Sequence, residues 1–155
     1  MSDVQCPYSV ASVTYEGTTY VFLHSVCSPC KIAVYTWNNV TQQHEMVTEI
    51  LLDTCSTRAA VFFERDGILY MALPIHYRSG TRNTNSNIYE FDTAAMTFTL
   101  RYGLPGHGTM NLVHFVRDGS HFLFASDYWN VGGGGGWTET YWDVQKTVSL
   151  LYQWP

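Results

Sequence analysis

Charge is scarce in this chain: only 14% of its 155 residues are Asp, Glu, Lys or Arg, and eight basic residues face 13 acidic ones, for a formal charge of −5 at pH 7. No basic run occurs, so the electrostatic footprint that a phosphate backbone demands is missing and nucleic acid is not an expected partner. No apolar stretch approaches the roughly 18 residues that suggest a membrane helix, so membrane insertion is not expected either. No segment of ten or more residues repeats its apolar positions at the 3.6-residue period with caps, which removes any call for a helix. The amino-terminal sequence MSDVQCPYSV lacks the basic and then apolar regions of a signal peptide.

Catalytic patterns are also missing. His24, His44, His76, His107, His114 and His121 are scattered, with no H-E-x-x-H pair and no G-x-S-x-G elbow. The glycine run from Gly132 to Gly136 has no Lys-Ser/Thr after it and no helix to lend a dipole, so it is not a phosphate loop. No enzymatic activity and no required cofactor are expected.

What is present is a core. Hydrophobic residues make up 46% of the chain and aromatic ones 15%, far from a disordered composition. Residues 1–155 are expected to form one all-β domain. Cys6, Cys27, Cys30 and Cys55 all fall early in the chain, and spacing alone does not choose among their three possible pairings. Cys27-Ser-Pro-Cys30 has redox or zinc spacing but no second C-x-x-C and no following helix, so structural or intersubunit disulfides are the preferred reading.

A repeat of about 50 residues organises the chain. Val13-Thr-Tyr-Glu-Gly17-Thr-Thr-Tyr20, Phe63-Glu-Arg-Asp-Gly67-Ile-Leu-Tyr70 and Phe115-Val-Arg-Asp-Gly119-Ser-His-Phe122 share an apolar residue four before the glycine and an aromatic three after it. Asp-Gly or Glu-Gly between apolar runs predicts a type I′ hairpin, because that turn needs positive φ. The outgoing strands, Tyr20–Leu23 and Phe122–Ala125 among them, are apolar on both sides and are expected to be buried on both faces. A third strand recurs as Val34-Tyr35-Thr36-Trp37, Ile88-Tyr89-Glu90-Phe91 and Leu151-Tyr152-Gln153-Trp154, and a fourth is expected near Met46-Val47 and near Phe98–Leu100. The repeats span approximately 10–58, 59–109 and 110–155, with residues 1–9 supplying the missing fourth strand of the last repeat from Val4 to Tyr8. Such closure would remove exposed sheet edges.

The connection between second and third strands lengthens from copy to copy, over 24–33, 74–87 and 126–150, and variable loops on a constant scaffold are where β folds carry function. The second loop holds His76 and Arg78, and the third holds Asp127, Tyr128, Trp129, Asn130, Trp137 and Glu139. Flat apolar rings beside planar hydrogen-bonding groups suit a sugar, whose C–H face stacks on an aromatic while its hydroxyls need donors and acceptors. Trp129 or Trp137 is the expected stacking platform, with Asp127, Asn130, Glu139 and Arg78 as polar partners; Trp142 is expected in the core. Asp127, Glu139 and Asp143 could alternatively hold Ca²⁺. Asn39-Val40-Thr41 is an N-glycosylation sequence, relevant if the protein is secreted.

The motifs His121-Phe122-Leu123-Phe124-Ala125-Ser126 and Leu151-Tyr152-Gln153-Trp154, with weaker counterparts at Tyr70-Met71-Ala72, Ile88-Tyr89-Glu90-Phe91, Tyr20-Val21-Phe22 and Val34-Tyr35-Thr36-Trp37, resemble the epilepsy-associated (EAR, or EPTP) repeat. The resemblance implies one four-stranded propeller blade per repeat, in secreted proteins that bind other proteins, and a disulfide between Cys30 and Cys55. That family closes its ring with seven blades, so three repeats do not make its normal propeller; either a head-to-head pair of chains supplies six, or the three units close on themselves in a three-fold fold, and a homo-oligomer is expected. A β-trefoil is the alternative fold. The function expected is a lectin recognising glycans or glycoproteins, the alternative an extracellular module for protein–protein adhesion.

Overall fold

The computed structural model describes residues 6–77, 80, 84–127 and 149–153. All the regular structure in them is β. Three antiparallel sheets follow one another along the chain, of four, four and three strands. The first is β1 (Pro7–Tyr15), β2 (Thr18–Ser25), β3 (Lys31–Asn38) and β4 (Gln43–Leu51). The second is β5 (Val61–Arg65), β6 (Ile68–Leu73), β7 (Ser86–Asp92) and β8 (Thr97–Leu104). The third is β9 (Thr109–Arg117), β10 (Ser120–Asp127) and β11 (Ser149–Gln153). In the first two sheets spatial order equals chain order, and in the third β10 lies between β9 and β11.

Local chemistry explains the meander. Glu16-Gly17, Asp66-Gly67 and Asp118-Gly119 all have positive φ, as the expected type I′ turns require. These turns set identical registers, Val13 opposite Tyr20, Phe63 opposite Tyr70 and Phe115 opposite Phe122. The β3–β4 turn is held by Asn38, whose Oδ1 accepts the N–H groups of Val40 and Thr41 at 2.8 and 3.2 Å. Asp92 does the same between β7 and β8, accepting from Ala94 and Ala95 at 2.9 and 2.8 Å. Both are Asx turns, in which a short acceptor side chain substitutes for backbone pairing. The pairing with the fourth strand shifts register at Val34/Tyr35 in one sheet and Ile88/Tyr89 in the other, the same place in each motif.

The sheets stack through two cores that share the middle sheet. Tyr20, Phe22, Ile32 and Val34 of the first sheet meet Leu69, Met71, Leu73 and Phe91 of the second. The other side of the second sheet, with Phe63, Ala72 and Ile88, meets Leu112, Leu123 and Ala125 of the third. Period-2 alternation along β6 therefore feeds two cores from one strand. Burial on both faces, expected for every outgoing strand, holds only for β6. Val21 and Leu23 in β2 are half-buried, and Phe124 in β10 is exposed, because among the described residues the first and third sheets each share a core with the second on one side alone.

Two further expectations are corrected. Pro7 and Tyr8 do not complete the third sheet. They extend β1, Pro7 pairing with Ser25, because a disulfide between Cys6 and Cys27 ties the start of β1 to the end of β2; Val4 lies outside the described residues. The described sheets form an open stack and not a closed propeller, since their cores join the first sheet to the second and the second to the third; nor do they form a trefoil barrel, since every described strand pairs only within its own sheet.

Candidate functional site

Two ends of the stack differ in character. One carries the tight hairpin turns, where the Tyr15 hydroxyl donates to the Gly67 carbonyl across the first two sheets. The other carries the ends of β2, β6 and β10, the starts of β3, β7 and β11, and the sheet-to-sheet connections.

At the loop end the segment 105–108, between β8 and β9, is gripped from several sides. Asp127, at the last position of β10, is 1% exposed. Its Oδ2 accepts the His107 backbone N–H at 2.7 Å and its Oδ1 accepts the Thr109 hydroxyl at 2.8 Å. His76, in the β6–β7 loop, donates from Nδ1 to the Gly108 carbonyl at 3.2 Å, which places the imidazole proton on Nδ1. The Thr84 N–H donates to the Gly106 carbonyl at 3.2 Å, and the Tyr152 hydroxyl donates to that of Pro105. Burial first, and the Asp127 charge second, push the Tyr152 phenol above its ordinary pKa. A Cβ on Gly106 would lie 2.5 Å from Thr109 Oγ1 and 3.3 Å from the Thr84 carbonyl oxygen, so glycine is what lets the segment sit this close.

The first two sheets are joined at the same end by related contacts. The buried hydroxyl of Thr57 is 2.6 Å from His24 Nε2. Where Thr84 bonds to Gly106, the first sheet has the Leu52 N–H on the Cys30 carbonyl at 2.8 Å and a disulfide between Cys30 and Cys55. Two aromatic rings are left open to solvent here. Tyr77 is 42% exposed while its carbonyl accepts the Thr54 hydroxyl at 2.8 Å, so its backbone is anchored and its ring is free to meet a ligand. Tyr8 lies with the Arg58 guanidinium carbon 6.0 Å from its ring centroid.

Of the residues expected to bind ligand, His76 and Asp127 are brought to one segment, from different loops and different sheets. Each is committed to holding that segment, and Asp127 presents both oxygens to protein donors. Tyr128, Trp129, Asn130, Trp137, Glu139 and Arg78 lie outside the described residues, as do Trp142 and Asp143. Among the described residues no group of three or more His, Cys, Asp or Glu converges as a metal site would require. Tyr77 was overlooked by sequence reasoning although it adjoins His76, because a loop tyrosine carries no sign of whether its ring is exposed. His107 could not have been found, since it contributes a backbone N–H, which every non-proline residue has.

No protein-family model matches the chain, and no curated protein matches it. The two disulfides are compatible with an extracellular protein, and among the described residues no helix is long and apolar enough to cross a membrane.

Proposed function

We propose that the protein is a secreted, non-enzymatic lectin that recognises glycans or glycoproteins through the loop end of the stack. Its sheets are read as blade-like repeats of the EAR type. The observation that carries the proposal is that His76, from the β6–β7 loop, and Asp127, at the end of β10, both bond to the segment 105–108. A short scaffold that fixes the roots of two polar, aromatic-rich loops holds their binding groups with little entropy left to lose on binding. Asp127 and His76 then act as positioning residues. Contact with a sugar falls to Tyr77 and to the loop residues Trp129, Trp137, Asn130, Glu139, Tyr128 and Arg78, named for their chemistry: rings to stack on a pyranose and planar groups to bond its hydroxyls.

A glycan-array screen of the folded protein, with calcium and again with EDTA, tests this. Selective binding in both conditions is the expected result. Loss in EDTA would assign Glu139 and Asp143 to a calcium ion. A blank array in both conditions would overturn the lectin reading in favour of extracellular protein recognition.

A further inference from the structure

The sheets of this chain stack in one polarity. Each has a front, carrying the residue three after the turn glycine, and a back, carrying the residue four after it. The front of the first sheet, with Tyr20 and Phe22, packs on the back of the second, with Met71 and Phe91. The front of the second, with Phe63 and Ala72, packs on the back of the third, with Leu123 and Leu112. Front meets back at both junctions, and among the described residues the front of the third sheet and the back of the first have no sheet against them. The front of the third sheet is a continuous apolar face: Val113 is 47% exposed, Phe115 38%, Phe124 38% and Leu151 59%, with Phe122 stacked on Phe115 at 5.3 Å. The back of the first sheet carries Trp37 and Met46, each 46% exposed, with Val10 at 67% and Leu51 at 64%, around the buried Ala33 and Tyr35.

We propose that these two faces are for each other: the front of the third sheet docks on the back of the first sheet of a second copy, and the reverse contact closes a two-chain ring of six sheets. The partner is chosen by continuity with the two junctions already present. Tyr20 meets Phe91 edge-on at 5.3 Å within the chain. By register, Phe122 stands where Tyr20 stands and Trp37 where Phe91 stands, so the new junction sets Phe122 against Trp37 of the second copy. Phe22 approaches Phe98 at 6.4 Å, and the corresponding pair is Phe124 with His44. A heterologous contact either closes or propagates. The three described sheets are too few to close around an axis by themselves, whereas six fall within the four to eight that such rings use. A head-to-head pair is disfavoured, since fronts pack only on backs inside the chain.

Sedimentation equilibrium of the full chain is the test, with Phe124→Glu for the front and Trp37→Glu for the back, each checked for native circular dichroism. The native chain is expected at twice its 17.6 kDa mass, and both variants at once that mass under the same conditions. Phe124→Ser and Trp37→Ser, read as a weakened dimer, replace either variant if it does not fold. A monomeric native chain would overturn the proposal, as would dissociation by the front substitution alone, which marks a face-to-face pair. A mass that keeps growing with concentration past two chains would also overturn it, since the contact then propagates.

Discussion

The imidazole of His114 lies flat on the ring of Phe63, centroids 4.5 Å apart and planes 13° from parallel, and so joins the third sheet to the second. Its Nε2 is 3.0 Å from Nδ1 of His121, a distance that accommodates one proton between two nitrogens and not two. Burial, and then the neighbouring His121, lower the pKa of His114; burial alone lowers that of His24 beside Thr57. Both rings are neutral parts of sheet-to-sheet junctions.

This arrangement makes stability depend on pH. Unfolded, both histidines titrate near the ordinary value of 6.5, whereas folded they protonate only at lower pH. As pH falls below about 6.5, the unfolded chain takes up protons that the folded chain refuses, and stability drops until the folded pKa values are passed. The thermal midpoint should therefore fall between pH 7.5 and 5. His114→Phe, which keeps a ring on Phe63 and removes the titration, should reduce the slope. An equally steep slope in that variant would show that the dependence arises elsewhere.

The disulfides hold the first sheet at both of its loop-end corners. Cys30 and Cys55 are separated by 25 positions, a loop whose closure restrains the unfolded chain by about 3.5 kcal/mol in the chain-entropy account. Replacing both by serine should lower the denaturant-unfolding free energy by roughly that amount. Substituting Cys6 and Cys27 should in addition loosen the start of β1 from the end of β2, seen as faster amide exchange at Val26, whose N–H donates to the Cys6 carbonyl at 3.4 Å.

At the loop end, Asp127→Ala removes the acceptor of the His107 N–H and the Thr109 hydroxyl and should cost roughly 2 kcal/mol, because buried donors to a charged group lose their partner. Gly106→Ala should cost about 1–3 kcal/mol by crowding Thr109 and the Thr84 carbonyl. Urea unfolding measures both. A neutral Asp127→Ala would mean that the segment is held without the carboxylate.

Phe22 and Phe124 sit at matching positions, both on the front of an outgoing strand, yet one is 2% exposed and the other 38%. Phe22→Ala should cost about 3–5 kcal/mol, since its ring lies 4.0 Å from that of Phe62 and 6.0 Å from that of Phe91. A loss below 1 kcal/mol would mean that the first core closes over the gap.

Tyr77 is anchored by its backbone and exposed by its ring, so Tyr77→Ala should leave the thermal midpoint within about a degree, as surface substitutions do. The same variant should weaken binding to any glycan found on the array. A large fall in midpoint with unchanged binding would make Tyr77 a structural residue.

Much of the strand layout could be read from local chemistry. Glu16-Gly17, Asp66-Gly67 and Asp118-Gly119 lie between apolar runs, where a tight hairpin needs the positive φ they adopt, and an apolar residue before and an aromatic after them favour one register. The all-β class, the hairpins and the recurring third strand follow from such short-range requirements, which a linear sequence carries in full. The candidate site was legible only in outline. Its loops stood out by length and polarity, but that His76 and Asp127 would spend their polar atoms on residues 107–109 depends on segments from two different sheets meeting.

Burial was decided by position in the stack. Val21, Met71 and Leu123 occupy matching places, as do Phe22, Ala72 and Phe124, and nothing in their own segments says which of them will be covered. The sequence by itself determined where each strand turns and which side chains share a face, because those depend on neighbours a few bonds or one hairpin away. Only the tertiary structure decided which faces meet and which stay open, and that the start of the chain binds β2, because those outcomes depend on which sheet has a neighbour and on where Cys6 finds Cys27.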